Sequence, residues 1–347
     1  MLFRSKEMAR LKTMILARPA RRDDASQGRA LFAKTCQQCH TLFGTGGKVG
    51  PDITGSNRAD LDYLLHNILD PSAEIPNDYR PFIVDTDDDR NITGILKRQD
   101  EKTVTFATQN ETITLPRNQI KTMRQSELSM MPEGLLAQMS NDDVANLIAY
   151  LRGTAQVTLA ATADNISSLF NGKDLTGWDG DPAHWSVENG EIVGKSPGLK
   201  RNEFLRSQMS FGDFRLTVKV KLTPNKGNSG IQFRSEALPD GEVRGYQADI
   251  GVGWWGKIYE ERGRGLIWKE SGESAVKVDD WNTYEIVAHG SHVRTSINGK
   301  PCADVEDTAA AQRGIIAFQL HAGGPFEVRY KDLKVELNPK PDLVSTR

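Results

Sequence analysis

The pentapeptide CQQCH, residues 36–40, sits inside GRALFAKTCQQCHTLFGTGG, residues 28–47, and places two thiols and an imidazole within five residues. Three chemistries use such a cluster. A redox dithiol needs no histidine after it and lies beside a βαβ pattern. A zinc site needs four ligands, as a rule a second Cys or His pair at similar spacing. The one remaining cysteine, Cys302, is far away, and no histidines stand in an H-x-x-x-H pair. The third chemistry is covalent haem attachment, in which Cys36 and Cys39 bond the porphyrin and His40 ligates the iron.

The surroundings suit that third option. Ser26 is placed to cap a helix through QGRALFAKTC, which delivers Cys36 at its C-terminal end. Downstream, SMMPEGL (129–135) offers Met130 and Met131 as soft thioether donors for a sixth ligand. Ser140 and Asp143 read as a capping box, and Val144, Leu147, Ile148 and Leu151 then mark one face of an amphipathic helix. Between His40 and Met131, residues 81–124 alternate as in TVTFAT and TITLP, which predicts a β insertion of four or five strands. DTDDDR (85–90) lacks the spacing of a calcium loop and reads as a solvated turn.

CQQCH, GKVGPDITG (47–55), the insert and MPEGL, in that order, resemble the haem-binding domain of planctomycete multidomain proteins, an α-helical class I cytochrome c with a β insertion. The resemblance spans 26–153. It implies haem c as covalent cofactor, His40 and Met131 as axial ligands, and a Pro51 carbonyl that holds the His40 Nδ1 hydrogen.

Net charge is −2 with no long basic run, which argues against nucleic acid as partner. No apolar run approaches the ~20 residues of a membrane span. Haem is joined to such motifs on exported chains, yet residues 1–25 lack the apolar core of a signal peptide. They read as an N-terminal helical remnant, and the expectation is a periplasmic or extracellular protein of which this chain is a fragment or has a misassigned start. An unmodified cytosolic apoprotein is the alternative. Residues 154–168 are small, polar and pattern-poor, and read as a linker.

From Leu169 the pattern turns to short strands. FRLTVKVKL (214–222) alternates strictly, and Asn298-Gly299 is a hairpin signal. Many short strands without long helices predict an all-β sandwich or jelly roll over 169–338, with a tail at 339–347. Three strands carry an unusual polar face. Gln232 and Arg234 alternate with Ile231 and Phe233; Gln247 shares a face with Asp249, and Gln319 with His321. If these strands share a sheet, they line one polar surface, with Trp254, Trp255 and Tyr259 as a stacking platform. Planar polar groups beside aromatic rings are what sugar rings bind.

LFNGKDLTGWDG, WSVENGEIVG, GNSGIQFRS, WNTYEIVAHGSHVRTSINGK and IAFQLHAGGPFEVRYKDLKVEL resemble the 3-keto-disaccharide hydrolases over nearly all of 169–337. The resemblance implies a concanavalin-like jelly roll acting on 3-keto-glycosides. VRYKDL (328–333) keeps Arg329 of the family's closing motif but not its asparagine, and GYQADIG (245–251) lacks the family's glutamate. A C3 ketone acidifies the C2 hydrogen, so the chemistry needs a base and a stabiliser for the enolate oxygen. Asp249 and His321 are candidate bases, Arg234 a candidate stabiliser, and Gln232, Gln247, Gln319 and Arg329 candidate substrate contacts. Asp249 with His321 also suits a divalent metal. The second functional class is a non-catalytic carbohydrate-binding module anchoring an electron carrier. GVGWWG (251–256) has the GxGxxG spacing but sits among short strands and not in a βαβ pattern, so it is no dinucleotide fingerprint, and the expected redox partner, such as a glycoside 3-dehydrogenase, is a separate protein.

Overall fold

The computed structural model describes residues 2–21 and 24–343, which form two compact units that divide between Val157 and Thr158. The last four residues of the expected tail, 344–347, lie outside the described residues.

The first unit opens with α1 (Leu2–Ala17) and α2 (Asp24–Thr35). Helix α2 starts two residues before Ser26, with Asp24 in its first turn. The Asp24 carboxylate accepts from Arg18 at 2.9 and 3.1 Å and from the Arg21 N–H at 2.8 Å, and its negative charge suits the first turn of a helix. Two short strands, β1 (Thr41–Leu42) and β2 (Thr45–Gly46), and α3 (Leu61–Leu69) follow; α4 (Asn141–Leu151) closes the unit. The capping box at Ser140 and Asp143 is formed. Helices α2 and α4 cross in contact: a Cβ on Gly28 would stand 1.9 Å from the Asn146 carbonyl oxygen. Beside that crossing the Phe32 and Tyr150 rings meet edge-on, 5.5 Å apart. Helix α1 is not a detached remnant. Its Leu11, 1% exposed, joins the core of Phe32, Leu61 and Leu147, and Lys12 pairs with Asp62 of α3 at 2.6 Å.

Between α3 and α4 lies an antiparallel five-stranded sheet: β3 (Phe82–Thr86), β4 (Asn91–Gln99), β5 (Thr103–Ala107), β6 (Thr112–Pro116) and β7 (Ile120–Gln125), in the order β6-β5-β4-β3-β7. It has its own small core of Val84, Ile92, Val104, Phe106 and Leu115. Alternation supplies those residues from one face of each strand.

The second unit is a sandwich of two sheets. Its strands are β8 (Leu159–Ala160), β9 (Trp178–Asp179), β10 (Trp185–Glu188), β11 (Glu191–Ser196), β12 (Glu203–Phe211), β13 (Phe214–Thr223), β14 (Asn228–Ala237), β15 (Val243–Gly251), β16 (Ile258–Glu261), β17 (Gly265–Trp268), β18 (Asn282–His289), β19 (His292–Ile297), β20 (Lys300–Glu306), β21 (Gly314–Leu320) and β22 (Phe326–Leu337). One sheet runs β10-β11-β22-β13-β18-β19-β20; the other runs β17-β16-β15-β14-β21-β12-β8, with β9 also on β12. Part of the expected linker therefore belongs to this unit, because β8 pairs in parallel with β12. The sheets share one core, in which Phe318 of β21 stacks on Tyr330 of β22 at 3.9 Å. The described part of the tail is held as well. Arg215 donates to the Lys340 and Asp342 carbonyls at 3.1 and 2.6 Å, and Leu343 is buried.

Candidate functional site

In the first unit a cavity is lined by Cys36, Cys39, His40, Pro51, Met130, Met131 and a wall of apolar side chains that includes Phe32, Ile53 and Leu64. Helix α2 ends as Cys36 N–H donates to Phe32 O at 2.8 Å, and His40 N–H donates to Cys36 O at 2.9 Å, so a tight turn sets the three groups. His40 Nδ1 lies 3.1 Å from the Pro51 carbonyl. As donor there, Nδ1 leaves the Nε2 lone pair for a metal. Burial lowers the His40 pKa, which favours the neutral ring. Burial raises the pKa of both Cys36 and Cys39. Gly50 lies flat on the imidazole; a Cβ there would meet Cε1 at 2.8 Å. On the opposite stretch, Met131 N–H donates to Ser129 Oγ at 3.1 Å and Ser129 N–H to Ser72 Oγ at 3.1 Å, which fixes the methionine pair. Paired thiols, a ring with one nitrogen tied and one free, two thioethers and apolar walls fit a covalently bound haem.

In the second unit, alternation places Ile231, Phe233, Tyr246, Ala248, Ile250, Ile316 and Phe318 in the core. The opposite face carries Gln232, Gln247, Asp249 and Gln319, all at most 3% exposed. Register aligns Gln232 with Gln247, and Gly230 with both Asp249 and Gln319. The missing Cβ at Gly230 lets Gln247 fold over the strand. Gln247 accepts from Gln232 Nε2 at 2.8 Å and donates to Asp249 Oδ1 at 2.6 Å. The Asp249 Oδ2, Gln319 Oε1 and Asn228 Oδ1 atoms are buried without a partner among the described residues. Burial pushes Asp249 up to about 7, opposed by the Gln247 hydrogen bond and reinforced by the Glu261 charge. His321 follows the end of β21, and its Nδ1 lies 2.7 Å from the Ala322 carbonyl.

Three expected site residues lie elsewhere. Arg234 sits at a bulge where the β14 register shifts, with φ 47°. The bulge breaks the alternation that put it beside Gln232. Its guanidinium donates to Gly212 O at 2.9 Å, to Gly290 O, and to Asp213 at 2.7 Å, with the side chain 0% exposed. Trp255 is a core residue, 1% exposed, with its indole N–H on Asn225. Trp254 and Tyr259 alone form the aromatic pair, edge-on at 6.3 Å. Arg329 belongs to the other sheet, among Glu188, Glu191 and Glu327. Among the described residues no three His, Cys, Asp or Glu side chains are grouped to hold a metal, so the divalent metal expected at Asp249 and His321 has no such cluster there.

Sequence reasoning passed over Glu261 and Lys257. Burial raises the Glu261 pKa, Gln319 Nε2 donates to it at 3.3 Å, and Lys257 acts electrostatically on Asp249. The signal was present in KIYEE: Lys257, Tyr259 and Glu261 alternate with the core residue Ile258.

Residues 165–336 match the model described as the 3-keto-alpha-glucoside-1,2-lyase-like domain, and residues 23–92 that described as cytochrome C oxidase, cbb3-type, subunit III. No curated protein matches the chain. Among solved structures, similar ones include a provisional glycosyl hydrolase of Parabacteroides distasonis ATCC 8503, at 18% identity and TM-score 0.39, covering 52% of this chain and 98% of that one. Another is the carbohydrate-binding module CBM66 of Bacillus subtilis, at 18% identity and TM-score 0.38, covering 46% and 95%. A third is a Bacillus subtilis protein of unknown function with a galectin-like fold, at 14% identity and TM-score 0.37, covering 47% and 90%. No described helix is long and apolar enough to cross a membrane. The chain is a fusion of a cytochrome c domain with a 3-keto-disaccharide hydrolase-like jelly roll.

Proposed function

We propose that the first unit is an exported electron carrier and that the second cleaves the glycosidic bond of 3-keto-glycosides on the face built around Asp249. When bound, haem c supplies one-electron transfer. Cys36 and Cys39 would hold it covalently, and His40, oriented by the Pro51 carbonyl, and Met131 would ligate its iron. The fitting partner is a glycoside 3-dehydrogenase, whose oxidation of a sugar hydroxyl to the ketone releases two electrons that a one-electron carrier would take in two encounters.

The observation that carries the sugar chemistry is the buried, unpartnered Oδ2 of Asp249, on a carboxyl whose pKa lies at about 7. Near neutrality such a group both takes and returns a proton. As carboxylate, Asp249 removes the C2 hydrogen; the C–H electron pair forms the C2–C3 double bond and charge moves to the C3 oxygen. The Lys257 ammonium stabilises that charge in the place first given to Arg234. The enolate then reforms the C3 ketone, the C1–C2 double bond forms and the C1–O bond breaks. Asp249 returns its proton to the leaving oxygen. Water added across C1–C2 completes a net hydrolysis. His321, with Nδ1 tied to Ala322 O, keeps Nε2 as the second candidate base, and Gln319 Oε1 and Asn228 Oδ1 accept sugar hydroxyls.

The Trp254–Tyr259 pair, with Trp254 exposed and Tyr259 half-buried, favours a second reading, a carbohydrate-binding module without turnover. One comparison separates the two. The enzyme reading expects Asp249→Asn to lose cleavage of a supplied 3-keto-glycoside while it still binds the unoxidised disaccharide. Turnover equal to wild type in that variant overturns the assignment of Asp249. Sugar binding by a wild type that never cleaves supports the binding module.

A further inference from the structure

The inserted sheet buries apolar side chains on both faces, Ile95 and Ala107 on the face away from its own core. Strand β4 sends Ile92 into that core, with Leu96 packed against it. Ile95, on the same strand, is 3% exposed yet belongs to neither that core nor the helical one. It lines the cavity of Cys36, Cys39 and His40 instead, as does Gln109 from the turn between β5 and β6. The sheet is also fastened to both ends of the His40 loop. Gln38, between the two cysteines, donates to the Gln109 carbonyl at 3.2 Å. Lys97 donates to the carbonyl of Lys48 at 3.0 Å and lies 3.5 Å from that of Val49, just before the Gly50–Pro51 pair that seats the imidazole.

We infer that the inserted sheet is a wall of the haem site, with Ile95 as the side chain that keeps water off the porphyrin and Lys97 as the positioning residue that docks the sheet on the axial-histidine loop. This rests on the reading of residues 36–40 as a haem attachment site. An isolated small sheet has no reason to bury an isoleucine away from its core, and β-branched residues on a second face are placed there to meet something. A dry wall favours the less charged, reduced iron site, and an ammonium near it acts in the same direction. Both effects raise the reduction potential.

The test uses the full chain, exported with a haem-attachment system, and spectroelectrochemistry. Ile95→Thr keeps the size and branching of valine but adds a hydroxyl; Ile95→Val is its control. The expected result is a midpoint potential lower in Ile95→Thr than in Ile95→Val and wild type, with covalent haem content unchanged. Lys97→Met is expected to lower the potential as well, Lys97→Arg to restore it, and the charge-matched Lys102→Met, at the far turn of the sheet, to leave it unchanged. If Ile95→Thr does not load haem, the Lys97 pair decides by the same readout. Equal potentials in Ile95→Thr and Ile95→Val, or in Lys97→Met and wild type, overturn the inference. A wild type that carries no covalent haem fails the underlying reading instead, before any variant is compared.

Discussion

Gly230 lies directly under the side chain of Gln247: a Cβ on it would stand 2.3 Å from Gln247 Cδ. Its φ is not in the left-handed region, so the demand for glycine here is one of space. Gly230→Ala is expected to push Gln247 off Asp249 and Gln232 and to cut turnover of a 3-keto-glycoside on the order of 10²-fold, since misplacement of about 1 Å has that cost. Steady-state kinetics on folded protein check this; unaltered kcat contradicts the role of Gln247 in aligning the acid.

Asp249 sets a pH dependence of stability. Its pKa is about 7 in the folded chain against 3.8 as its ordinary value. The native state therefore holds the extra proton between those limits, and wild-type stability falls as pH rises from about 4 to about 7. Asp249→Asn removes the charge and keeps an oxygen for Gln247. It is expected to be more stable than wild type at pH 8, by an amount on the order of 4 kcal/mol at most, and equal to it below about pH 4. Urea melts at the two pH values measure the difference. A gain that persists at pH 3.5 points to packing and not to ionisation.

Arg234 is expected to act on stability alone. It spans two turns and an aspartate from a fully buried position, so Arg234→Met takes the charged donor from two carbonyls and from Asp213, which keeps the Gly290 N–H. The expected loss is about 3–5 kcal/mol in denaturant unfolding. Activity per folded molecule should stay within about twofold. A large fall in kcat with intact stability restores the first assignment.

The two methionines are told apart by ligation. Met131→Leu is expected to abolish the far-red charge-transfer band of a His/Met haem and lower the reduction potential, and Met130→Leu to leave both in place. The reverse pattern assigns the ligand to Met130.

Much of this was legible in the chain because short patterns carried it. CQQCH fixed a thiol pair and an imidazole by covalent spacing, and Ser140 with Asp143 marked a helix start that needs no tertiary partner. The sheet face was readable at Gln247, Asp249 and Gln319, where strict alternation holds. It failed at Arg234, because a bulge leaves no mark in residue type. It failed at Trp255, because Trp254 and Trp255 lie in the turn between β15 and β16, where alternation does not sort side chains. Ser26 was a fair cap by type, but the helix begins at Asp24, two residues earlier, where the carboxylate meets Arg18. Glu261 was missed because its partner Gln319 comes from a strand 58 residues on, and sheet neighbours are not written in the sequence.

The crossing at Gly28 has a consequence for biosynthesis. Helix α2 gains its closest neighbour only when Asn146 and Tyr150 have been made, and Met131 and Leu151 also complete the cavity. A chain emerging from its N-terminus presents Cys36, Cys39 and His40 before those later residues have been made. The two thiols and the imidazole are therefore open to a reagent in the growing chain, and the cavity around them closes only once α4 has been added.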